Sequence, residues 1–158
     1  MAGPDPKYSE KDALAKMRRY CALQERCQQE VRNKLYDWGF WRNEVEGIIS
    51  QLIGENFINE MRFAELYAGG KFRMKRWGKR KIVQHLKQKQ ISDYSINHAF
   101  KVIEDEAYQQ ALHELIEKKV RLSTESDAFK RRTKIGKYLI NKGYESELVW
   151  KALKELDV

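Results

Sequence analysis

The chain has 158 residues, of which 42% are hydrophobic and 34% are charged, and its formal net charge is +8. This balance is typical of a folded, soluble protein and excludes an intrinsically disordered chain. No apolar run approaches the ~20 residues of a membrane span, and residues 1–7 lack the apolar core of a signal peptide. We therefore expect a cytoplasmic protein that makes no membrane contact.

The first part of the chain predicts a tail followed by a helix. Residues 1–8 contain a glycine and two prolines and are expected to form a disordered tail. Ser9 precedes Asp12 by three residues, and this arrangement predicts the capped start of a helix that ends near Glu25.

Two more helices complete the first group. Val31 and Leu35 lie four residues apart on the first of them, and Gly39 is expected to end it because glycine adopts the left-handed conformation without penalty. Asn43, three residues before Glu46, predicts the N-cap of the next helix. The apolar stripe of that helix consists of Val45, Ile48, Ile49 and Leu52.

The second group of helices is predicted over residues 59–77, 78–89 and 93–106. One continuous face of its first helix is expected to be apolar and consists of Phe63, Leu66, Tyr67, Gly70, Met74 and Trp77. Gln90 follows the second helix at the position where the first group has Gly39. This turn must therefore be made by a residue less suited to a left-handed backbone.

The third group is predicted over residues 107–120, 128–141 and 145–156, with a polar break at 122–127. Gly143 lies between the last two helices, as Gly39 does in the first group. No segment alternates with a period of two for long enough to predict a strand. The sequence therefore predicts an all-α protein.

The three groups repeat one apolar template. The stretches 30–52, 81–103 and 134–156 have apolar residues at the same spacings, and they begin 51 and then 53 residues apart. Such a period is typical of a tandem array in which each unit needs its neighbours to bury its apolar face. We expect an elongated, curved array of three three-helix repeats at residues 9–58, 59–106 and 107–158. Such an array presents a surface to another macromolecule.

The sequence offers no known arrangement of catalytic residues. It lacks the Gly-x-x-x-x-Gly-Lys-Ser/Thr loop of nucleotide hydrolases, and His85, His98 and His113 fall in different predicted helices without the spacing of metal ligands. Cys21 and Cys27 are expected to stay reduced and unpaired. We predict a non-enzymatic protein without a metal or another cofactor.

Positive charge is concentrated in the second repeat. The net charge is +1 over residues 7–58, +5 over residues 59–106 and +3 over residues 107–158. Residues 66–92 contain no Asp or Glu. This asymmetry predicts a polyanionic partner. The candidate binding residues in the second repeat are Lys71, Arg73, Lys75, Arg76, Lys79, Arg80, Lys81 and Lys87.

Two arrangements of these charges are open from the sequence. If a helix continues through Gly78, then Arg73, Arg76 and Arg80 share one face; if the chain turns near Trp77, the charges gather around a corner between two helices. A smaller basic patch in the third repeat is a candidate extension of this surface and consists of Lys130, Arg131 and Arg132, with Lys134 and Lys137 nearby.

Aromatic residues interleave with the basic ones, as they do in stacking platforms for single-stranded nucleic acid. Tyr67 and Trp77 lie on the predicted apolar face and are expected in the core. Phe72 lies off that face and is the candidate for base stacking.

Three segments resemble the central repeat of the RecX regulatory proteins. They are residues 57–64 (Phe-Ile-Asn-Glu-Met-Arg-Phe-Ala), 77–82 (Trp-Gly-Lys-Arg-Lys-Ile) and 86–91 (Leu-Lys-Gln-Lys-Gln-Ile). The resemblance extends from about residue 10 to the end of the chain. It implies three tandem three-helix repeats and a bacterial cytoplasmic modulator of the RecA recombinase. Such proteins bind in the groove of the RecA–DNA filament and suppress its ATP hydrolysis and strand exchange, which affects DNA repair, recombination and the SOS response.

The leading hypothesis is a monomeric, non-enzymatic modulator that lays its basic second repeat along the RecA filament and makes weak, non-specific contact with single- or double-stranded DNA. The alternative hypothesis is a helical protein that binds DNA directly, with Arg80, Gln84 and Gln88 on the outer face of a recognition helix. A third hypothesis is a helical scaffold for an acidic protein.

Overall fold

The computed structural model describes residues 5–158, and this part of the chain is helical throughout, with nine α-helices, one short 3-10 helix and no strand. None of these helices is long and apolar enough to cross a membrane. The all-α prediction and the three-helix repeats are confirmed. The helices are α1 (Glu10–Leu23), α2 (Gln28–Asp37), α3 (Arg42–Gly54), α4 (Glu60–Lys75), α5 (Lys79–Gln88), α6 (Asp93–Ala99), α7 (Asp105–Leu122), α8 (Ala128–Asn141) and α9 (Ser146–Glu155).

The apolar template accounts for most of the core. Burial of these side chains is the main stabilising contribution, at about 1.5–3 kcal/mol for each large aliphatic residue. Two template positions, Phe100 and Leu156, are only half-buried. The buried template residues are Val31, Leu35, Phe40, Val45, Ile48, Ile49 and Leu52 in the first repeat; Ile82, Leu86, Ile91, Ile96, Ala99 and Ile103 in the second; and Ile135, Leu139, Tyr144, Val149, Ala152 and Leu153 in the third.

One left-handed residue makes the same turn in each repeat. Gly39 has a φ of 91° and Gly143 a φ of 108°, whereas Gln90 adopts a φ of 64° at the equivalent position. The residue that follows each turn is buried and donates its backbone N–H to a carbonyl near the end of the preceding helix; Tyr144, for example, donates to Leu139 at 3.1 Å. A non-glycine residue in this conformation costs about 1–2 kcal/mol, so the Gln90 turn is the weakest of the three.

The helix starts agree with the sequence at Ser9 and differ at Asn43. The Ser9 hydroxyl accepts the backbone N–H of Asp12 at 3.1 Å, as predicted. The N-cap of α3 is Trp41, whose backbone N–H donates to the Glu44 carboxylate at 2.9 Å, so the prediction of Asn43 is wrong. Glu44 lies three residues after Trp41 and can reach back to its N–H, which fixes the start two residues earlier.

The predicted tail of residues 1–8 falls partly outside the described residues, which begin at residue 5. The backbone N–H of Lys7 donates to the Trp38 carbonyl at 2.7 Å, and the rings of Tyr8 and Trp38 meet edge to face at 4.8 Å. The prediction of a disordered tail is therefore wrong for Lys7 and Tyr8, because the aromatic pair and this hydrogen bond attach them to the end of α2.

The chain divides into two compact units. One contains the residues up to Leu66 together with Leu86–Ile96, and the other contains Tyr67–His85 together with Asn97–Val158. The repeat boundaries at residues 58/59 and 106/107 stay a prediction from the sequence. The second unit contains the end of α4, the start of α5 and all of α7, α8 and α9, and the candidate site lies in it.

Candidate functional site

The cations of the second repeat gather around a turn between α4 and α5. Helix α4 ends at Lys75, Arg76 adopts a left-handed φ of 56°, and α5 begins at Lys79. The helix does not continue through Gly78, so the corner arrangement is the correct one of the two alternatives. We call this surface the basic corner; it consists of Lys71, Arg73, Lys75, Arg76, Lys79, Arg80 and Lys81.

Main-chain contacts attach the basic corner to the α8–α9 turn. The backbone N–H of Gly78 donates to the Lys142 carbonyl at 2.9 Å, and that of Arg80 donates to the Gly143 carbonyl at 2.9 Å. A Cβ atom on Gly78 would lie 2.2 Å from the carbonyl carbon of Gly143, far inside van der Waals contact. The two backbones approach so closely that only glycine fits at position 78.

Two buried tyrosines of the third repeat make further contacts with the turn. The Tyr144 hydroxyl donates to the Arg76 carbonyl at 3.0 Å, and the Tyr108 hydroxyl accepts the Lys79 N–H at 2.9 Å and donates to the Glu145 carboxylate. The two tyrosine rings stack on each other, with their centroids 5.1 Å apart. Burial raises the pKa of both phenols, and the Glu145 hydrogen bond raises that of Tyr108 further, so both remain neutral.

Helix α5 begins with three cations at the end where helices favour anions. Its first turn contains Lys79, Arg80 and Lys81 and no acidic residue. The helix dipole disfavours each positive charge there by about 0.3–1 kcal/mol at an exposed site. The Tyr108 hydroxyl and the Gly143 carbonyl accept the first N–H groups in place of an acidic cap. The sequence thus places positive charge at the start of α5 against the preference of the helix dipole.

Few of these charges are neutralised. Arg76 pairs with Glu114 at 3.1 Å, and the Lys79 ammonium lies 3.9 Å from Asp105. Within residues 5–158, the other cations of the corner form no ion pair; they are Lys71, Arg73, Lys75, Arg80 and Lys81. Their positive potential is therefore available to a partner.

Trp77 lies at the centre of the corner and is half-buried. The ammonium groups of Lys81, Lys71 and Lys75 lie 4.6, 5.0 and 5.9 Å from its ring centroid. The His85 ring is tilted against the indole at 4.5 Å. The indole thus contacts several cationic side chains, and the expectation that Trp77 is a core residue is only partly correct.

The buried face of α4 differs from the predicted one. Phe63, Ala64, Ala68 and Phe72 are buried, whereas Leu66 is 55% exposed and Met74 is 86% exposed. The Phe72 side chain is 7% exposed, and its ring centroid lies 5.8 Å from that of Tyr108. The prediction that Phe72 stacks on bases is therefore wrong. The Arg73 guanidinium occupies the space beside Gly69, where a Cβ atom would lie 2.7 Å from its Nη1 atom.

The third-repeat patch is mostly engaged in contacts of its own. Arg131 donates to the Glu125 carbonyl at 3.3 Å, Arg132 donates to the main-chain oxygen of Val158, and Lys134 pairs with the Glu125 carboxylate at 3.0 Å, which lowers the pKa of that carboxyl. Lys130 is exposed, and its backbone N–H donates to the Asp127 carboxylate at 3.0 Å. The main-chain contacts hold the Arg131 and Arg132 side chains in place, and within residues 5–158 Lys134 is the cation of this region that pairs with a carboxylate.

One candidate cation lies outside this unit. Lys87 belongs to the first compact unit, where its ammonium lies 3.7 Å from Asp93. Of the candidate cations, the structure brings Lys71, Lys75 and Lys81 together around the Trp77 ring.

Histidine and cysteine side chains form no cluster with carboxylates that could hold a metal ion anywhere in residues 5–158. His113 lies 3.9 Å from Glu155, and Cys21 and Cys27 are buried and unpaired.

Comparisons with known proteins identify the family to which this chain is similar. Residues 59–99 match the family model for the second three-helix domain of RecX, and residues 105–153 match the model for its third three-helix domain. The chain is similar to the regulatory protein RecX of Clostridium tetani, with 34% identity over 82% of this chain and 60% of the relative. It is also similar to that of Prosthecochloris aestuarii, with 28% identity over 87% of this chain and 88% of the relative.

The fold is similar to solved RecX structures. The crystal structure of RecX from Lactobacillus salivarius superposes with a TM-score of 0.85 at 24% identity, over 94% of this chain and 96% of that one. A second crystal structure of a regulatory protein RecX gives a TM-score of 0.83 at 25% identity, over 92% and 71% of the two chains. The chain spans about three fifths of the length of the Clostridium tetani relative.

Proposed function

Because the chain belongs to the RecX family of regulatory proteins, we propose that it is a non-enzymatic modulator of the RecA recombinase. It binds in the groove of the RecA–DNA filament as a monomer and inhibits ATP hydrolysis and strand exchange. It also makes weak, non-specific contact with the DNA of the filament. The basic corner is the surface through which it binds.

The observation that carries this proposal is the uncompensated charge of the basic corner. Among the described residues, five of its cations form no ion pair, and they lie in a segment that has no acidic residue between positions 66 and 92. Hydrogen bonds from Tyr144 and Gly78 attach the main chain of this segment to the third repeat. Positive potential on a preorganised surface favours fast association with a polyanionic assembly and lowers the cost of ordering on binding.

Inhibition follows from differential binding. A bound protein shifts the filament only toward the state that it binds more tightly. A chain that contacts neighbouring recombinase subunits along the groove stabilises their relative arrangement and slows the steps that change it. One bound molecule can then stall several subunits, so inhibition is expected at substoichiometric amounts.

The test is a triple substitution of corner residues that have no ion pair. Arg73, Lys75 and Arg80 are replaced by Glu, and RecA ATPase activity on single-stranded DNA is measured as the protein is titrated in. The matched control replaces the exposed residues Lys101, Lys118 and Lys154 by Glu and changes the net charge by the same amount. We expect the corner variant to lose inhibition and the control to retain most of it.

A folding control is built into this experiment. Arg80→Glu places an acid in the first turn of α5, where the helix dipole stabilises it by about 0.3–1 kcal/mol. Arg73→Glu and Lys75→Glu have the opposite effect on the last turn of α4, so circular dichroism and a thermal melt must show that the corner variant is folded before a loss of inhibition is assigned to charge. Full inhibition by a folded corner variant would refute the assignment of this surface.

Direct DNA binding remains the second candidate, since Arg80 and Gln84 are exposed one turn apart on α5, as on a recognition helix. Titration of labelled DNA without RecA separates the two. Tight binding to one sequence favours direct readout. Weak, sequence-independent binding that falls steeply with salt supports the modulator.

A further inference from the structure

We propose that Trp77 and the three lysines over its ring form a site for the phosphodiester backbone of nucleic acid. We call Trp77, Lys71, Lys75 and Lys81 the Trp77 cluster. The inference rests on the proposed function and deepens it, because it names the chemical group that this part of the basic corner binds. It also assigns an organising role to Trp77, which sequence analysis expected in the core.

The geometry concentrates three positive charges in a small volume. All three ammonium groups lie within 5.9 Å of the indole centroid. The electron-rich ring face attracts each of them and so keeps like charges together that would otherwise separate. The backbone of Lys81 lies close to Gly143, where an added Cβ atom would be 2.5 Å from the Lys81 Cβ. An anion that enters this volume meets several donors that are already in place.

The Trp77 cluster differs in the number of cations around one ring: two cations lie near each of Tyr8, Tyr20 and Tyr138, whereas three lysines lie near Trp77. Some of the other contacts also differ in having a carboxylate nearby. Arg26 lies over Tyr20 at 4.0 Å but also pairs with Glu30, and Lys79 lies over Tyr108 at 4.6 Å but also approaches Asp105. In those places a carboxylate satisfies one of the cations. In the described part of the chain, none of the three lysines over Trp77 has such a partner.

The contacts around the indole favour phosphate over a stacked base. A base could lie on Trp77 only by displacing the lysine ammonium groups or the His85 ring, which is 4.5 Å away. A phosphate instead accepts hydrogen bonds from the ammonium groups where they are, and lysine binds phosphate as a compact point charge.

The number of charges favours a nucleic acid over an acidic protein side chain. A nucleic acid strand has one phosphate for each 3.4 Å of helix axis, so adjacent phosphates can reach all three ammonium groups. A single carboxylate has one charge to offer three cations. Charge density thus selects a phosphodiester chain, from either single-stranded or duplex nucleic acid.

The experiment uses the full chain without RecA and two variants. Trp77→Leu keeps every charge and removes the ring that organises them; Lys71, Lys75 and Lys81 changed together to Gln remove the charges and keep the ring. Lys101, Lys118 and Lys154 changed to Gln form the matched control. The probes are a labelled oligo(dT), an abasic oligomer of equal length, a duplex and polyglutamate, titrated by fluorescence anisotropy at several salt concentrations.

We expect oligo(dT) and the abasic oligomer to bind with similar affinity, since the bases take no part. Trp77→Leu should weaken binding roughly 3- to 10-fold because the lysines are no longer pre-ordered. The triple Gln variant should reduce the slope of log affinity against log salt by about 2 on single strands. Comparison of oligo(dT) with the duplex identifies which form the site prefers.

Three results would overturn the proposal. They are a tenfold weaker affinity for the abasic oligomer, equal binding of polyglutamate, and a triple Gln variant that binds like the control. Thermal melts of each variant identify loss of folding, and if Trp77→Leu unfolds, the triple Gln variant decides. RecA inhibition is measured separately. A variant that loses oligonucleotide binding but still inhibits RecA supports the phosphate site and assigns the recombinase contact elsewhere. A wild-type chain that binds oligonucleotides without inhibiting RecA refutes only the proposed function.

Discussion

Replacement of Gly78 by alanine tests whether the basic corner depends on main-chain contact with the third repeat. The new Cβ would lie 2.2 Å from the Gly143 carbonyl carbon and 2.3 Å from the Tyr144 nitrogen. Both are backbone atoms and cannot rotate away. The start of α5 must therefore move away from the α8–α9 turn.

This movement breaks two main-chain hydrogen bonds and strains the packing around them. The N–H groups of Gly78 and Arg80 each donate to a carbonyl of the third repeat at 2.9 Å, and two such hydrogen bonds contribute about 1–3 kcal/mol together. Forcing an extra methyl group into a filled space adds about 1–3 kcal/mol. We predict that the unfolding free energy falls by roughly 2–6 kcal/mol, which is a large part of the ~5–15 kcal/mol of a typical domain.

Urea denaturation followed by circular dichroism measures this change. Gly70→Ala is the matched control, because a Cβ there meets no atom within 4 Å. Removing a glycine from the interior of α4 should stabilise the protein by about 0.5–1 kcal/mol. The two Gly→Ala changes thus have opposite predicted signs. If Gly78→Ala unfolds at the same urea concentration as the parent chain, the contact between the α4–α5 turn and the α8–α9 turn is not as described.

Three further changes test other parts of the structure. Gln90→Gly should raise the unfolding free energy by about 0.5–1 kcal/mol, because glycine removes the left-handed strain at a φ of 64°; an unchanged urea midpoint would contradict this. Tyr108→Phe should lower it by about 1–3 kcal/mol, because the Glu145 carboxylate and an α5 N–H lose their buried partner, and a neutral result in the same assay would show that water replaces the hydroxyl. Burial raises the pKa of Cys21 and Cys27 to about 11, so alkylation at pH 8 should be far slower in native than in urea-unfolded protein, as mass spectrometry can measure; equal rates would refute their burial.

The repeat pattern was predictable because one physical requirement recurs three times. Each repeat must bury the same face, so Val31, Ile82 and Ile135 occupy equivalent core positions. The turn after the second helix was predictable for the same reason: Gly39 and Gly143 adopt left-handed backbones, and Gln90 follows them at higher cost. The apolar period of a helix predicts its buried face correctly when the same packing arrangement recurs in each repeat.

The orientation of α4 was not predictable from its own residues. Leu66 and Met74 are as apolar as any core residue, yet both are exposed, whereas Phe72 packs against Tyr108 from α7. Which face of a helix is buried depends on the partner that packs against it, and Tyr108 lies 36 residues further along the chain. A pattern within one helix cannot contain that information.

The basic corner was half predictable. The absence of acids over residues 66–92 identified the cations, and the turn near Trp77 was one of two open arrangements. The contact of Gly78 with Gly143 decides between them, and it joins two main chains without a distinctive side-chain signal. In the sequence, this contact is reflected in the glycines at positions 78 and 143.

The contact between the α4–α5 turn and the α8–α9 turn at Gly78 and Gly143 is made by backbone atoms. It therefore does not depend on which charged side chains lie beside it. Substitutions at Lys79, Arg80 or Lys81 alter what the surface attracts without altering where it is presented. Related chains could in this way acquire a different preference for partners through drift in a few solvent-facing positions, while the scaffold that displays them stays unchanged.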